Sequence, residues 1–244
     1  MDILTIGNAK TVKGEKLGYL TAVLYLAPGN EAGVGNMCPK ASKGCLSACL
    51  HNAGRIEMEG KMGMIRKARI ARTKMLMQNR EVFLNLLRKE INAVLRKAKR
   101  MNLIPCIRLN GTSDIPFLAV MLCREFPKVQ FYDYTKIPID NTRLSIPNYH
   151  LTFSRSEEND KDVLVSLSKG VSVAVVFDTL KGQDLPKTYL GYKVIDGDIS
   201  DLRFLDEKGV IVGLRSKGRK HRKNQVGNPF IVSVTPLVQT PLAA

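Results

Sequence analysis

Apolar residues along this chain form short runs that alternate with amphipathic stretches. The run 18–27 (LGYLTAVLYL) ends at a Pro-Gly pair, which predicts a buried strand. Residues 58–78 and 80–100 are predicted to be helical, because the apolar residues of the second stretch recur three and four positions apart. Asn79 lies between the two stretches and is the expected N-cap of the second helix.

Beyond residue 102 the pattern changes to short strands that alternate with short helices. We predict helices at 116–126 and 160–170, and strands at 104–110, 129–135, 149–155, 171–178, 192–198, 210–216 and 229–234. Such alternation favours parallel pairing in βαβ units. The predicted fold is therefore α/β, an incomplete (βα) barrel with a mostly parallel sheet and helices outside it. The whole chain, 1–244, is expected to form a single domain with a cysteine loop (33–55) and two basic helices (58–100).

Hydropathy and the cysteine count point to a cytoplasmic protein. The longest apolar run, Ile115 to Cys123, is about half the ~20 residues that a membrane span needs. The first sixteen residues lack a basic segment followed by an apolar one, so no signal peptide is predicted. Five cysteines, an odd number, argue against a disulfide framework. We therefore expect the cysteines to be metal ligands, nucleophiles or core residues.

Charge suggests a polyanionic partner such as DNA or RNA. The chain has 38 Lys and Arg against 22 Asp and Glu, a net charge of +16, and the excess is concentrated between Lys61 and Arg100 and again from Arg215 to Lys223. A solvated helix face and a basic loop would give the same pattern, but two separate clusters favour a polyanion. The residues predicted to bind it are Arg66, Lys67, Arg69, Arg72, Lys74, Arg215, Lys217, Arg219, Lys220, Arg222 and Lys223.

Polar residues follow several of the predicted strands. In parallel α/β folds the loops after the carboxyl ends of strands converge on one face, where binding sites form. Five such clusters in succession therefore predict a shared pocket. Its candidate residues are Asn110, Ser113, Asp114, Asp133, Tyr134, Ser154, Arg155, Asp178, Asp196 and Asp198.

Three of the five cysteines lie within twelve residues, spaced as Cys38-x6-Cys45-x3-Cys49. Soft thiolate ligands select zinc or an iron–sulfur cluster. Structural zinc sites use four ligands in two closely spaced pairs, whereas a cubane cluster is larger and reaches cysteines spread along a wrapping loop. We therefore predict a [4Fe–4S] cluster, with zinc and a thiol redox site as alternatives.

The fourth iron of such a cluster has two candidate ligands in the sequence, Cys106 and His51. Cys106 lies in a predicted apolar strand, where a lone cysteine is more often a core residue. His51 is two residues past Cys49, and a surface loop position is an equally good interpretation of it. If neither binds, one iron stays open for a small molecule.

The cysteine segment resembles a known phage signature. The run Asn36-Met-Cys-Pro, followed by Gly44-Cys, Ala48-Cys-Leu and Ala53-Gly-Arg55, is similar to that of the phage gene-product-eighty-eight-like family. The similarity continues through 108–114, 132–134 and 196–218. Members are phage- or plasmid-encoded proteins without an assigned activity, so the resemblance implies a bacterial host cytoplasm.

A second resemblance is architectural. A three-cysteine loop after the first strand of an incomplete (βα) barrel is similar to radical S-adenosylmethionine enzymes, although those space their cysteines three and two apart rather than six and three. The resemblance implies that Cys38, Cys45 and Cys49 hold the cluster, that the open iron binds S-adenosylmethionine, and that 110–114 face the amino group of that cofactor.

Two functions are therefore expected from the sequence. The first is a radical-type enzyme that acts on a small molecule or a nucleic acid through the open iron. The second is a cluster-bearing protein that binds nucleic acid, in which the cluster folds the loop or senses redox state. A structural zinc protein is a distant third.

Overall fold

A computed structural model describes residues 2–7, 11–52, 55–60, 63–217 and 227–234. Nine strands form one sheet: β1 (Leu4–Thr5), β2 (Tyr19–Leu24), β3 (Ile104–Arg108), β4 (Gln130–Thr135), β5 (Tyr149–Ser154), β6 (Val173–Phe177), β7 (Thr188–Tyr189), β8 (Tyr192–Asp196) and β9 (Ile211–Arg215). Their order across the sheet is β1-β2-β3-β4-β5-β6-β9-β8-β7.

The seven strands from β2 to β8 in this order are parallel, and the short edge strands β1 and β7 pair antiparallel to their neighbours. The prediction of an α/β fold with a mostly parallel sheet is confirmed. Within the described residues the sheet is open, since its two edge strands do not pair with each other.

Eight α-helices accompany the strands in the described ranges. They are α1 (Thr11–Glu15), α2 (Lys43–Ser47), α3 (Arg55–Glu59), α4 (Met64–Gln78), α5 (Arg80–Met101), α6 (Pro116–Glu125), α7 (Asn141–Leu144) and α8 (Asp160–Ser168). The two predicted basic helices correspond to α4 and α5. Asn79 occupies the N-cap position of α5, but its side chain makes no capping hydrogen bond there, contrary to the prediction.

The core lies between the long helices and one face of the sheet, which we call the outer face. Apolar residues of α5 such as Phe83 and Ile91 join the same cluster as Leu24, Ile107 and Phe153 from the strands. Because side chains alternate along a strand, the residues between these point to the opposite, inner face. This inner face carries buried polar side chains, such as Thr21 and Arg108, beside the ring of Tyr132.

The inner face is covered at one end by residues 199–206, where the ring of Phe204 meets Tyr19 and Tyr132 edge-on at 5.2 and 5.5 Å. At the carboxyl ends of the strands it is covered by the cysteine loop and by residues 227–234. The predicted strand 229–234 is reduced to one bridge, between Val232 and Phe177.

None of the helices in the described ranges combines the length and the apolar character needed to cross a membrane.

Candidate metal and ligand site

The cysteine loop crosses the carboxyl end of the sheet directly after β2. It is held there by the loop between β3 and α6: Thr112 donates its hydroxyl to the carbonyl of Leu26 at 2.6 Å, and Asp114 donates its N–H to Met37 at 2.8 Å. The backbone of the cysteine loop is therefore fixed beside the ends of β2 and β3.

Cys38, Cys45 and Cys49 line one cavity of about 200 Å³, which we call the cysteine cavity. All three are free thiols of intermediate exposure. Cys38 Sγ lies 3.6 Å from the carbonyl oxygen of Thr112, and Cys49 Sγ accepts the N–H of His51 at 3.5 Å. The loop thus brings together the three thiols that the sequence singles out.

The helix that carries Cys45 is anchored by a carboxylate from a distant part of the chain. Ser42 caps α2 by accepting the N–H of Cys45 at 3.1 Å. Glu157 accepts the hydroxyl of Ser42 at 2.7 Å and the N–H of Gly44 at 2.9 Å. Asn228 donates its amide to the carbonyl of Gly44 at 3.1 Å. We call these contacts the Glu157 clamp.

Two of the three thiols, Cys38 and Cys49, lie in surroundings that disfavour ionisation. Burial raises the pKa of Cys38 to about 12, and the sulfurs of Cys49 and Cys45 add to the rise. Burial likewise raises the pKa of Cys49 above its ordinary value. A nucleophile and a metal ligand both require the thiolate form, so these shifts do not choose between a thiol redox site and a metal site.

The geometry does not identify a metal. Among the described residues, no three His, Cys, Asp or Glu side chains are placed to hold one metal ion. A zinc site requires all its sulfurs at about 2.3 Å from a single centre, whereas in a cubane each cysteine binds a different iron. The choice between zinc and an iron–sulfur cluster therefore stays a prediction from the sequence.

The two candidate fourth ligands lie outside the cysteine cavity. Cys106 is fully buried on the inner face, with Sγ 3.2 Å from the hydroxyl of Thr21. The ring of His51 is 1% exposed, with Nδ1 2.9 Å from Arg69 and Nε2 2.7 Å from Glu31. Burial lowers the pKa of His51, which suits a neutral ring that accepts from Arg69.

Five of the ten predicted pocket residues line the cysteine cavity: Asn110, Ser113, Asp114, Tyr134 and Ser154. The other five do not line it; they hold neighbouring residues in place. Arg155 donates to the carbonyls of Pro229 and Phe230 at 2.8 and 3.2 Å, and Asp178 binds Ser233 and Val234. Asp196 and Asp198 pair with Arg215 at 2.8 and 3.4 Å.

The remaining residue, Asp133, lies beneath the cavity and organises its polar wall. It accepts hydrogen bonds from the N–H and the side-chain amide of Asn110 at 2.7 and 3.0 Å, and from the hydroxyl of Tyr149 at 3.1 Å. Asn110 Oδ1 in turn accepts the hydroxyl of Ser113 at 3.0 Å. Burial raises the pKa of Asp133 to about 6, although Arg108 and these donors oppose the rise.

Several lining residues were not predicted as pocket residues. Lys136 lies after β4 and donates to Ser154 Oγ at 2.9 Å, with its ammonium 5.2 Å from the ring centre of Phe230. Its backbone N–H binds the Asp114 carboxylate at 2.7 Å. Lys136 belongs to a strand-end polar cluster and could have been found that way, whereas Phe230 carried no sequence signal. Arg108 also lines the cavity.

The predicted polyanion-binding residues are placed differently from one another. Lys67 and Lys74 on α4 are exposed, but Arg69 is buried, with its guanidinium 4.8 Å from the ring centre of Tyr25. This placement does not leave Arg69 available to a polyanion. Arg66 pairs with Glu31 at 2.7 Å, and Arg72 donates to the carbonyl of Asp2 at 2.8 Å.

The second basic cluster is only partly described. Arg215 and Lys217 line the cysteine cavity and pair with aspartates, Lys217 with Asp198 at 2.7 Å. Arg219, Lys220, Arg222 and Lys223 lie outside the described residues.

A comparison with known protein families identifies the family of this chain. The family model described as Gene product 88 matches residues 2–228, which include all five cysteines and every described strand. The chain belongs to the gene product 88 family. The predicted phage family is thereby confirmed. Neither a curated protein nor a solved structure matches the chain.

Proposed function

We propose that this member of the gene product 88 family binds a [4Fe–4S] cluster through Cys38, Cys45 and Cys49 and acts as an enzyme of radical type. The observation that carries the proposal is that these three thiols and the polar ends of β3, β4 and β5 line the same cavity. We propose further that the parallel strands correspond to the incomplete barrel of radical S-adenosylmethionine enzymes, because the cysteine loop follows the first parallel strand.

The residues around the cavity suit a negatively charged group held by thiolates. Arg108 and Lys136 line the same cavity and carry positive charge to it. Neither Cys106 nor His51 lines it, which leaves one iron without a protein ligand. When bound, the cluster would supply single electrons and an iron site at which a small molecule such as S-adenosylmethionine can bind.

The polar wall would orient that molecule. The side chain of Asn110 is fixed by Asp133 and by the backbone of Ile115. It accepts the hydroxyl of Ser113, so the oxygen of Ser113 keeps a set direction and its lone pairs stay available. Asp114 is fixed by Thr135 at 2.8 Å and by the N–H of Lys136. Ser113 and Asp114 can bind an amino group and hydroxyls beside the cysteines, and both kinds of group are present in S-adenosylmethionine.

Metal analysis of protein purified without oxygen tests the proposal. The chain should be brown, absorb near ~400 nm and carry about four irons and four sulfides. Cys45→Ser should lose the iron, whereas the matched variant Cys106→Ser should keep it, since a serine hydroxyl can still bond Thr21. A colourless chain that carries zinc instead would contradict the proposal.

The enzymatic part requires a separate measurement. Reduced, cluster-loaded chain should bind S-adenosylmethionine and cleave it, and Asp114→Asn should weaken that binding while the iron content stays the same. A loaded chain that does not bind S-adenosylmethionine would leave the cluster assignment standing and contradict the radical enzyme.

Nucleic-acid binding is the second candidate, and the exposed surface of α5 favours it. Arg96, Lys99 and Arg100 are exposed on its last turns. The nearest acid on this helix, Glu90, is turned inward and accepts the N–H groups of Ile3 and Leu4 at 2.7 Å. A row of cations without a carboxylate on the same helix surface suits phosphate contacts.

Salt dependence tests the second candidate. Affinity for a generic DNA duplex should fall steeply as the salt concentration rises. Exchanging Lys99 and Arg100 for glutamine should reduce the slope of log affinity against log salt concentration by the equivalent of about two phosphate contacts. The same exchange at Lys181 and Lys187, which are also exposed, should leave the slope unchanged. A flat salt dependence in the unaltered chain would rule this function out.

A further inference from the structure

Arg108, the last residue of β3, presents its guanidinium to the cysteine cavity from the inner face of the sheet. The residue is 8% exposed. Its Nη1 donates to Asp201 at 3.0 Å, and its guanidinium carbon lies 4.6 Å from the ring centre of Tyr134. The charged group is therefore held rigidly, by a carboxylate on one side and an aromatic ring on another.

Most of the donors of Arg108 have no acceptor in the described part of the chain. A guanidinium has five N–H donors. Nε is buried and has no hydrogen-bond partner among the described residues, and Nη1 is the one nitrogen with a hydrogen bond to the described part of the chain. Leaving buried donors of a charged group without acceptors is costly. The arrangement suits a ligand that brings its own acceptors.

The cavity around Arg108 has a polar side and an apolar side. The polar side comes from β3, β4 and β5, with Arg108, the Lys136 ammonium and the Ser154 hydroxyl. The apolar side comes from Ala174 and Val176 of β6 and from Leu214 of β9. One end of a bound molecule would thus meet cationic donors, and the rest would meet hydrocarbon.

We propose that the substrate of this site is a small organic anion, with its carboxylate or phosphate on Arg108 and its hydrocarbon part against β6 and β9. The inference rests on the proposed function, since it places the substrate in the cavity that the cluster cysteines line. Asp201 also pairs with Arg108, and its negative charge limits the affinity of the guanidinium for the anion. A planar guanidinium is the side chain best suited to bind either group through two parallel hydrogen bonds.

Charge on Arg108 is secure under all ordinary conditions. Burial is the largest single effect and acts to lower its pKa, but the charge of Asp201 together with Tyr134, Tyr132 and Tyr25 outweighs burial, so the pKa lies above its ordinary value. The anion therefore meets a permanent cation.

Titration calorimetry with two simple probes tests the inference on the full chain. Hexanoate and hexyl phosphate present the two anions on the same hydrocarbon, and hexylammonium is the control of opposite charge. At least one anion should bind and hexylammonium should not. Arg108→Gln should weaken binding at least tenfold and Arg108→Lys less, whereas Arg88→Gln, on the surface of α5, should have no effect.

Asp201→Asn separates a binding role from a structural one. If Arg108 only supports the fold, removing the charge of its partner lowers the melting temperature and leaves anion affinity unchanged or weaker. If Arg108 binds the substrate, Asp201→Asn tightens anion binding several-fold, because the guanidinium is no longer neutralised. This comparison decides the question even if Arg108→Gln does not fold.

Iron content, measured on the same preparations, keeps the two proposals distinguishable. A chain that carries the cluster but binds neither anion, or binds them equally well with Arg108→Gln, overturns the substrate inference alone. A chain that binds an anion through Arg108 but takes up no iron confirms the anion site and contradicts the proposed cluster. Preference for hexanoate or for hexyl phosphate identifies the anion.

Discussion

The carboxylate of Glu157 accepts a hydrogen bond at 2.9 Å from the backbone N–H of Gly44, the residue that precedes Cys45. The two residues are separated by 113 positions in the chain. Together with the bond from Ser42, this contact ties the short helix α2 to the loop after β5. The position of Cys45 therefore depends on a part of the chain that contains no cysteine.

Replacing Glu157 should weaken metal retention without touching a ligand. Glu157→Gln removes the charge from two hydrogen bonds, and charged bonds contribute about 1.5–3 kcal/mol each, less where the group is partly solvated. We expect the free energy of unfolding to fall by about 1–2 kcal/mol and iron to be lost faster to a chelator. Glu158→Gln, at the exposed neighbouring position, is the matched control. Equal iron loss in both variants would contradict the clamp.

Gly44 should not tolerate a side chain. A Cβ there would lie 2.5 Å from Asn228 Oδ1 and 2.5 Å from Glu157 Oε1, so both sides of the Glu157 clamp would have to move. Gly44→Ala should cost about 1–3 kcal/mol of stability and reduce iron content, as measured by urea unfolding and metal analysis. Ser47→Ala on the same helix adds no atoms and should behave as the unaltered chain. A Gly44→Ala chain of normal stability would show that the clamp is loose.

His150 should make the fold sensitive to acid. Burial, together with the charges of Arg203 and Lys208, lowers its pKa from 6.5 to about 4. A lowered pKa means that the folded chain resists protonation of His150, so its stability contribution is complete above pH 6.5 and is lost as the pH falls toward 4. The loss amounts to at most about 3 kcal/mol.

His150→Gln should remove this acid sensitivity. As the pH falls from 7 to 4.5, the variant should therefore gain stability relative to the unaltered chain. Urea unfolding of both chains measures this difference in unfolding free energy. A difference that stays constant over this range would show that His150 titrates normally.

Asp133 should act in the opposite direction. Its folded pKa of about 6 lies above the ordinary 3.8, so its contribution is largest at low pH and is lost as the pH rises through 6. The side chain of Asp133→Asn does not titrate, and it offers Asn110 one hydrogen-bond acceptor fewer. The variant should be less stable at pH 4, and its disadvantage should shrink by about 2–3 kcal/mol toward pH 7. A disadvantage that grows with pH would mean that the carboxylate is stabilised as an anion.

Strands and long helices could be predicted from the sequence because their signals are local. The apolar run around Val173–Phe177 and the apolar spacing in α5 each mark one element by their own residues. Residues 229–234 also look like a strand, yet they pair at Val232 alone. The missing information is non-local: β9 pairs with all five residues of β6 and β5 pairs with Val173 and Ala174, which leaves only the end of β6 for Val232.

The site could be predicted in part for the same reason. The polar strand ends predicted a common edge, and Asn110, Ser113, Asp114, Tyr134 and Ser154 meet there. Asp178 and Asp196 have the same sequence pattern but bind the backbone of another segment or an arginine instead. The contacts of the C-terminal segment decide which polar residues face the cavity and which ones support it. These contacts cannot be predicted from the local spacing of residues in the sequence.

One wall of the cysteine cavity is supplied by Phe230 and Ile231, which are encoded almost two hundred residues after Cys38. In a nascent chain that has not yet reached Phe230, the three cysteines therefore line an incomplete cavity. The proposed cluster would therefore be enclosed only after Phe230 and Ile231 have been synthesised, and a truncated product that ends before residue 227 would leave it open to oxygen.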